Sequence, residues 1–525
     1  MHLELVILGL LVAVAALSAL AGRLRVPYPI LLVLGGLCLG WVPDADRIEL
    51  DPDLVLLIFL PPLLYGAAFF ASPREMARNA RPIALQAIGL VFATTLVVAA
   101  VAHWAIGLSW GVSFVLGAVV SPTDAVAPAE IVRRLGVPRR LVTIVEGENL
   151  TNDWTALTIY KFAVAAVVTG AFSLGEATLE FVLTGVAGAL VGLAVGRAMR
   201  FVRARLDDPP TEITISLFTG YAAYLPAEEL GLSGVIAAVA AGLYLGWYAS
   251  ELTTPTTRLQ LVAVWETVQF LLNAVLFVLV GLQLPGILDG IEGFGTGELA
   301  LYALLVCAAV ILTRLVWTFA LSWVVRRLDP RVRERSPNAN WRLTLVGAWC
   351  SMRGAVALAA ALAIPLTVEG GAPFPDRDLL IFLTYAVILA TLVAQGLTLA
   401  PLIRYLGIED DGLAAREEMG ARMHAASAAI ARVDELAGED WVHDDTAERT
   451  RRLYEFRRRR FAELKHGDGD GGADERSGRY QRLLREVIAA ERAALLELRN
   501  QGRITDEVMR RVERDLDLEE ARLDA

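Results

Sequence analysis

The eight residues Glu146-Gly147-Glu148-Asn149-Leu150-Thr151-Asn152-Asp153 place three carboxylates inside an apolar stretch that is long enough to cross a membrane. At 100° per residue, Glu146, Asn149 and Asp153 lie within about 60° of one another, and Glu148 and Asn152 share a neighbouring face. Ionised groups at membrane depth cost several kcal/mol, so they are rare and usually functional. The stretch therefore predicts a membrane helix with a functional polar face and Asp153 as its central acid.

The composition of the whole chain supports a membrane protein. Of the 525 residues, 55% are hydrophobic without counting 44 glycines, and 20% are charged. Residues 409–525 carry 22 basic and 29 acidic residues, which is nearly half of the total charge. We therefore predict a membrane transport domain over 1–408 and a helical cytoplasmic tail, regulatory in function, over 409–525. This composition excludes a soluble enzyme, a fibrous protein and a disordered chain, and the net charge of −10 gives no basic footprint for nucleic acid.

Thirteen apolar runs approach the length of about 20 residues that a bilayer core requires. They start near Leu3, Tyr28, Leu54, Pro82, Trp110, Leu141, Leu179, Thr211, Leu232, Leu259, Glu298, Arg342 and Asp378. Cytoplasmic loops carry an excess of arginine and lysine. The odd-numbered loops hold Arg23, Arg25, Arg74, Arg78, Arg81, Arg133, Arg134, Arg139, Arg140, Arg197, Arg200, Arg203, Arg205, Arg258, Arg326, Arg327, Arg331, Arg333 and Arg335, and the even-numbered loops hold only Arg47 and Arg377. This alternation predicts thirteen helices, with the N-terminus outside and the C-terminus in the cytoplasm.

Two of the predicted spans contain residues that break helices. The fifth contains Ser121-Pro122-Thr123-Asp124, and the twelfth contains Arg353-Gly354 after Cys350. Proline removes a backbone donor, and irregular backbone at membrane depth occurs only where it is buried in protein or lines a cavity. The two spans are seven apart, so they have opposite orientations, as inverted repeats require. Two ordinary helix kinks are the alternative interpretation.

These motifs resemble those of a known family. Ser121 to Val126, Glu146 to Asp153 and Met352 to Val356 are similar, in order and spacing, to motifs of sodium/proton exchangers of monovalent cation:proton antiporter family 1, bacterial branch. The likeness extends over most of residues 1–408. It implies an all-α membrane protein with two inverted six-helix repeats, crossed discontinuous helices at spans 5 and 12, and a homodimer in the plasma membrane.

The resemblance also implies roles for individual residues. Asp153 would be the exchanged carboxylate and Asn152 its neutral partner, while Thr123 and Asp124 would complete the cation shell. Glu148 would form a structural ion pair with Arg353. The implied Na⁺ ligands are Asp153, Asp124, Thr123 and Asn149.

This sequence departs from the family at two positions and has two further polar residues near the site. Asn149 replaces a usual serine ligand but still offers a carbonyl oxygen, and Gly66 stands where many relatives have an acidic residue. Glu146 and Lys161 are candidates for tuning the proton affinity of Asp153, although a lysine that reaches the membrane interface is the favoured interpretation of Lys161.

The chemistry that follows is exchange of Na⁺, or of Li⁺ or K⁺, for H⁺, because hard cations prefer oxygen ligands. With one exchangeable carboxylate beside a neutral Asn152, we expect electroneutral exchange that serves pH and sodium homeostasis. The alternatives are an intramembrane aspartyl protease that uses Asp124 and Asp153, and a cation channel. The protease motifs and a selectivity-filter loop are missing from the sequence, and so are a Walker A loop and a histidine-rich cluster. We therefore predict neither an enzyme nor a resident cofactor.

The sequence of the tail does not identify a ligand or partner. The run Arg457 to Arg460 is compatible with contact to anionic lipid. A solvated helix face is the favoured interpretation.

Overall fold

The computed structural model describes residues 3–24, 26–41, 55–291, 293–328, 340–350, 352–410, 412–466 and 472–524. The chain divides into two compact units, Met1–Glu409 and Asp410–Ala525. Among the described residues the regular structure is helical, apart from two isolated bridges between single residues, which confirms the predicted all-α class. The predicted span start at Leu54 and Arg25, Arg47, Arg331, Arg333, Arg335 and Ser351 lie outside the described residues.

The first unit is a sequence of helices joined by short connections. In chain order they are α1 (Leu3–Leu24), α2 (Tyr28–Gly40), α3 (Val55–Phe70), α4 (Pro73–Arg78), α5 (Ala80–Ile106), α6 (Trp110–Val120), α7 (Val126–Arg134), α8 (Arg139–Thr169), α9 (Leu174–Arg203), α10 (Pro209–Glu229), α11 (Gly234–Leu252), α12 (Pro255–Leu288), α13 (Thr296–Leu328), α14 (Trp341–Trp349), α15 (Ala355–Leu362) and α16 (Arg377–Tyr405).

Six of the described helices are long and apolar enough to cross a membrane by length and composition, namely α5, α9, α11, α12, α13 and α16. Shorter apolar helices include α2, α3 and α6. Helix α8 has 31 residues, which gives it a length of about 46 Å at 1.5 Å per residue. Its length is sufficient for a span, and the carboxylates of the polar face lower its hydropathy.

Local sequence explains where several helices begin. The side chains of Ser173, Asp208, Ser233 and Thr254 each accept a hydrogen bond from the backbone N–H three residues later, at the starts of α9 to α12. Such a cap satisfies one of the orphan donors of the first helical turn. Prolines also occupy the first turns of α10 and α12, where their missing N–H costs nothing.

Small residues spaced four apart set the packing of α9 against α11. A Cβ added at Gly188 would lie 2.6 Å from the Ser233 carbonyl oxygen, and one added at Gly192 would overlap the Ala237 carbonyl oxygen. Close backbone approach of this kind is typical of helix pairs in membranes, where small residues line the interface. Gly242 and Gly246 place the other side of α11 equally close to α3. Helix α11 is therefore held between two neighbours.

The second unit contains α17 (Leu413–Leu436), α18 (Asp444–His466), α19 (Gly472–Asn500) and α20 (Asp506–Asp524). Helix α17 packs against α18, and α19 packs against α20. Buried apolar residues are few: Ala426 and Ile430 on α17, Ile488 on α19, and Met509 and Leu516 on α20. Each pair is thus a helical hairpin with a narrow apolar contact.

Candidate ion-binding site

The two predicted helix interruptions meet in the interior of the first unit. Residues 121–125 separate α6 from α7, and residues 350–354 separate α14 from α15. The backbone N–H of Asp124 donates to the Met352 carbonyl oxygen at 2.7 Å, which forms an isolated antiparallel bridge. Gly354 lies directly against the Asp124 carboxylate, where a Cβ would overlap it. Only glycine fits this close approach of backbone to carboxylate.

Side chains at the crossing satisfy the orphan donors at the start of α7. The N–H of Val126 donates to Asp124 Oδ1 at 2.8 Å, and the N–H of Ala125 donates to Asn149 Oδ1 at 3.1 Å. The first donors of a helix need such partners, and a carboxylate there also complements the positive end of the helix dipole. One oxygen of Asp124 and the amide oxygen of Asn149 are therefore already engaged by backbone.

Arg353 closes the other broken end. Its Nε donates to the carbonyl oxygen of Val120, the last residue of α6, at 3.0 Å. Its backbone N–H donates to Thr391 Oγ1 on α16 at 3.1 Å. The side chain is completely buried. A cation at this position complements the negative end of the α6 dipole and satisfies a carbonyl without an intrahelical partner.

Glu148, the predicted partner of Arg353, forms a buried ion pair with Arg314. Arg314 belongs to α13; its Nη1 contacts Glu148 Oε1 and its Nη2 donates to Glu148 Oε2 at 2.9 Å. Arg314 Nη2 also donates to the Gly347 carbonyl oxygen of α14 at 3.2 Å. Both charged side chains are at least 97% buried. Arg353 Nε is directed to the carbonyl oxygen at the end of α6.

A polar network connects this ion pair to the crossing. Thr123 Oγ1 donates to Glu148 Oε1 at 3.1 Å. Asn152 Nδ2 donates to the Thr123 carbonyl oxygen at 3.0 Å and to Thr123 Oγ1 at 2.9 Å. The remaining oxygen of Asn152, Oδ1, is buried and accepts no hydrogen bond from a described residue. Such an orphan acceptor is unusual, and it is available to a ligand.

Asp153 lies beside this network and is 6% exposed. Its carboxylate accepts no hydrogen bond from any of the described residues. Asn152, its neighbour in the chain, contacts Thr123, the residue before Asp124. Two carboxylates at one crossing form an arrangement that a positive charge, proton or metal, stabilises.

The two candidates for tuning Asp153 have other partners. Glu146 forms an ion pair with Arg133 at the end of α7. Lys161 Nζ lies 3.6 Å from Glu228 Oε2 of α10. Each therefore joins α8 to a neighbouring helix.

Sequence reasoning missed three contributors to the crossing and its surroundings. Arg314 pairs with Glu148, and nothing in the sequence indicates that partner. Thr391 lies within an ordinary apolar run, and its role becomes visible only in the fold. Arg203, counted as a loop arginine, is completely buried in the last turn of α9 next to Glu212 of α10, at 3.8 Å.

The donor set at the crossing consists of oxygen atoms. Within the part of the chain that the structure describes, His, Cys, Asp and Glu form no group of three or more able to hold a metal ion. The crossing offers two carboxylates together with neutral hydroxyl and amide oxygens. Hard cations are bound by oxygen ligands of this kind.

A family model described as "Sodium/hydrogen exchanger, transmembrane" matches residues 9–405. The chain belongs to the sodium/hydrogen exchanger family. This confirms the resemblance of the three motifs. An uncharacterized Na⁺/H⁺ exchanger of Mycobacterium tuberculosis is 39% identical, over 99% of this chain and 96% of that protein. A sodium, potassium, lithium and rubidium/H⁺ antiporter of Bacillus subtilis is 34% identical, over 75% of this chain and 60% of that protein.

The fold agrees with the same family. The sodium proton antiporter MjNhaP1 of Methanocaldococcus jannaschii matches with a TM-score of 0.59 at 19% identity, over 77% of this chain and 99% of that one. At 19% identity, this structural similarity supports the fold alone. None of these matches supports the alternatives of a protease or a channel.

Proposed function

We propose that the chain is a secondary antiporter that exchanges Na⁺ for H⁺ across the membrane. Membership of the exchanger family supports this function, as do relatives named as Na⁺/H⁺ antiporters, among them one of Aphanothece halophytica that is 32% identical. The observation that carries the proposal is the set of oxygen donors where the two interruptions cross: the Asp124 carboxylate, the Asp153 carboxylate next to Asn152, and Asn152 Oδ1, which has no hydrogen-bond partner among the described residues.

Asp153 is the proposed exchanged group. Asp124 is tied to the start of α7 through the Val126 N–H, whereas Asp153 accepts no hydrogen bond from a described residue. A carboxylate with free oxygens holds either a proton or a cation, and this competition couples the two fluxes without a separate gate. The Asp153 carboxylate is thus the group whose occupant changes during transport.

The proposed cation shell consists of Asp153, Asp124, Thr123, Asn149 and Asn152. Thr123 Oγ1 donates its proton to Glu148 and accepts from Asn152 Nδ2, which leaves one lone pair of the hydroxyl for a cation. Asn149 keeps a second lone pair after accepting from the Ala125 N–H, and Asn152 contributes Oδ1. These neutral oxygens would complement the carboxylates of Asp153 and Asp124. Because Asp153 alone would exchange one proton for one cation, we propose electroneutral transport of Na⁺, or of Li⁺ or K⁺.

The membrane organisation is proposed in the same terms. Thirteen spans, two inverted six-helix repeats and alternating access would present the crossing to one side at a time. The arginine distribution favours an N-terminus outside and a C-terminus in the cytoplasm. A homodimer in the plasma membrane, with a regulatory role for 409–525, completes the proposal.

The test is cation-dependent proton flux in proteoliposomes that contain the purified protein and a pH-sensitive dye. After a pH gradient is imposed, addition of Na⁺ should dissipate it, and choline should not. Asp153→Asn keeps the shape of the side chain and removes its charge, so dissipation should fall to the level of empty liposomes. Glu369→Gln, which changes an exposed acid of the same unit, should retain the wild-type rate.

Two results would contradict the proposal. Full activity of Asp153→Asn would remove Asp153 from the mechanism, and pH dissipation without any added cation would indicate a proton leak or channel. A membrane potential imposed with valinomycin tests the stoichiometry, because electroneutral exchange should be independent of it.

A further inference from the structure

One side of helix α18 packs against α17. Arg451 Nε lies 3.6 Å from Asp434 Oδ1 of α17, and the Arg422 guanidinium of α17 lies over the Phe461 ring at 5.6 Å. Tyr454, half-buried, lies on the same side of α18. These contacts fix the orientation of the helix within its hairpin.

The opposite side of α18 is both apolar and basic. Leu453 is 49% exposed and Phe456 is 62% exposed. At 100° per residue these two side chains share a sector of about 100° with Arg449, Arg457 and Arg460. We call these five residues the basic face. The acidic side chains that the structure describes on α18, at 444, 445, 448 and 455, fall outside this sector.

The arginines of the basic face differ from the other arginines of the helix in their partners. Off the face, Arg452 and Arg459 pair with glutamates one turn away. On the face, Arg449, Arg457 and Arg460 form no ion pair with a described residue. Arg457 lies over the Tyr454 ring at 5.4 Å, and Arg460 Nε is buried without a hydrogen-bond partner among the described residues.

This distribution of charge is unusual for the tail. Residues 409–525 have more acidic than basic residues, 29 against 22, so solvation of the tail does not require three arginines without an ion pair to a described residue around two exposed apolar side chains. A helix face with arginines around leucine and phenylalanine matches the interface of an anionic bilayer, because the arginines meet phosphates while the apolar side chains enter the headgroup region.

We propose that the basic face of α18 binds the surface of an anionic phospholipid bilayer. The partner is the lipid headgroup layer rather than another segment of the tail. Its phosphates complement the arginines, and the apolar region beneath them accommodates Leu453 and Phe456. This proposal goes beyond ion exchange and does not depend on which residues bind Na⁺.

The experiment uses the full-length protein in nanodiscs of phosphatidylcholine, with or without phosphatidylglycerol. A bimane label at Leu453→Cys reports the environment of the face. Cys38→Ser serves as the background, because Cys38 is the exposed cysteine while Cys307 and Cys350 are buried. We expect a blue shift and quenching by headgroup spin-labelled lipid with phosphatidylglycerol, neither effect with phosphatidylcholine alone, and loss of both effects at high salt.

Matched variants distinguish binding by the basic face from nonspecific attraction by any positive charge on α18. Arg449→Gln, Arg457→Gln and Arg460→Gln combined should lower the bound-to-free ratio by about a hundredfold, at about fivefold per arginine near an anionic surface. The control triple, Arg452→Gln, Arg458→Gln and Arg459→Gln, removes the same charge from outside the sector and should change the ratio by less than tenfold. Circular dichroism and gel filtration verify that both variants fold.

Three outcomes would overturn the proposal. A blue shift that is independent of phosphatidylglycerol would indicate that a protein segment covers the face. Equal losses in the two triple variants would indicate diffuse electrostatic attraction. Absence of any shift in anionic nanodiscs would indicate a solvated helix.

Discussion

Two regions of the first unit each bury an arginine beside a glutamate, and the two pairs differ in how well they are satisfied. At the crossing, Glu148 receives two contacts from Arg314 and one from Thr123. In the α9–α10 region, Arg203 Nη2 lies 3.8 Å from Glu212 Oε2. No nitrogen of the Arg203 guanidinium donates a hydrogen bond to a described residue.

The difference shows what a buried pair contributes. Desolvation of both charges is costly, and attraction offsets it only when the geometry is good and the remaining donors and acceptors are satisfied. The Arg314 pair meets this condition and connects α8, α13, α14 and the first interruption. The Arg203 pair connects the end of α9 to the start of α10 by a longer contact, with Thr257 as a further donor at 3.4 Å.

The largest effect on stability is expected when the pair at the crossing is broken. Glu148→Gln leaves Arg314 buried without an opposite charge, which typically costs about 3–5 kcal/mol. Thermal unfolding in detergent should show the loss, and Glu148→Gln combined with Arg314→Met should recover part of it. If the two single losses simply add, the residues are not coupled.

A smaller loss is expected at Gly354, on the same crossing. Gly354→Ala forces a methyl group against the Asp124 carboxylate, and overpacking of this kind costs about 1–3 kcal/mol. Because the carboxylate must move, Na⁺-dependent proton flux should fall at least tenfold. Gly286→Ala is the matched control, since nothing lies within 4 Å of its added Cβ. Equal flux in the two variants would contradict the close contact at Gly354.

Breaking the Arg203–Glu212 pair in the α9–α10 region should lower the free energy of unfolding less than breaking the pair at the crossing. Glu212→Gln removes one long contact and one hydrogen bond, so we expect about 1–2 kcal/mol, below the loss for Glu148→Gln in the same thermal assay. Arg203→Met with Glu212→Leu should be neutral or stabilising, as apolar replacement of a buried pair often is. A loss for Glu212→Gln as large as that for Glu148→Gln would refute the comparison.

Removal of the tail should affect neither pair. Arg342 Nη1 donates to the Leu406 carbonyl oxygen at 3.1 Å, so a stop codon after Glu409 keeps this contact and ends at the unit boundary. Exchange should persist within about twofold, because a cut at an exposed connection removes few backbone partners. A truncated protein that is stable in detergent but shows no flux at any pH would make the tail part of the transport machinery.

The motifs predicted more of the site than the pattern of charges did. Proline and glycine at membrane depth identified both interruptions, because their backbone chemistry is local and independent of neighbours. The contact of Glu148 with Arg314 was not predicted, because Arg314 and Arg353 are both buried cations on later spans. Distance along the chain does not distinguish them, since Arg314 is 166 residues from Glu148. Selection between two cations depends on where the helix axes place them.

By itself, the sequence determined that this is an all-helical membrane protein of the exchanger family, with polar residues at two interruptions and a separate charged tail. Hydropathy, helix periodicity and backbone chemistry are properties of short segments, so they can be read without a fold. Only the tertiary structure decided that Arg314 pairs with Glu148, that Arg353 meets the end of α6, and that the buried Asn152 Oδ1 has no hydrogen-bond partner among the described residues. These contacts depend on side chains from distant segments that compete for the same few buried partners. Burial of a charge costs several kcal/mol, so the stability of each contact depends on how well the fold places its two groups.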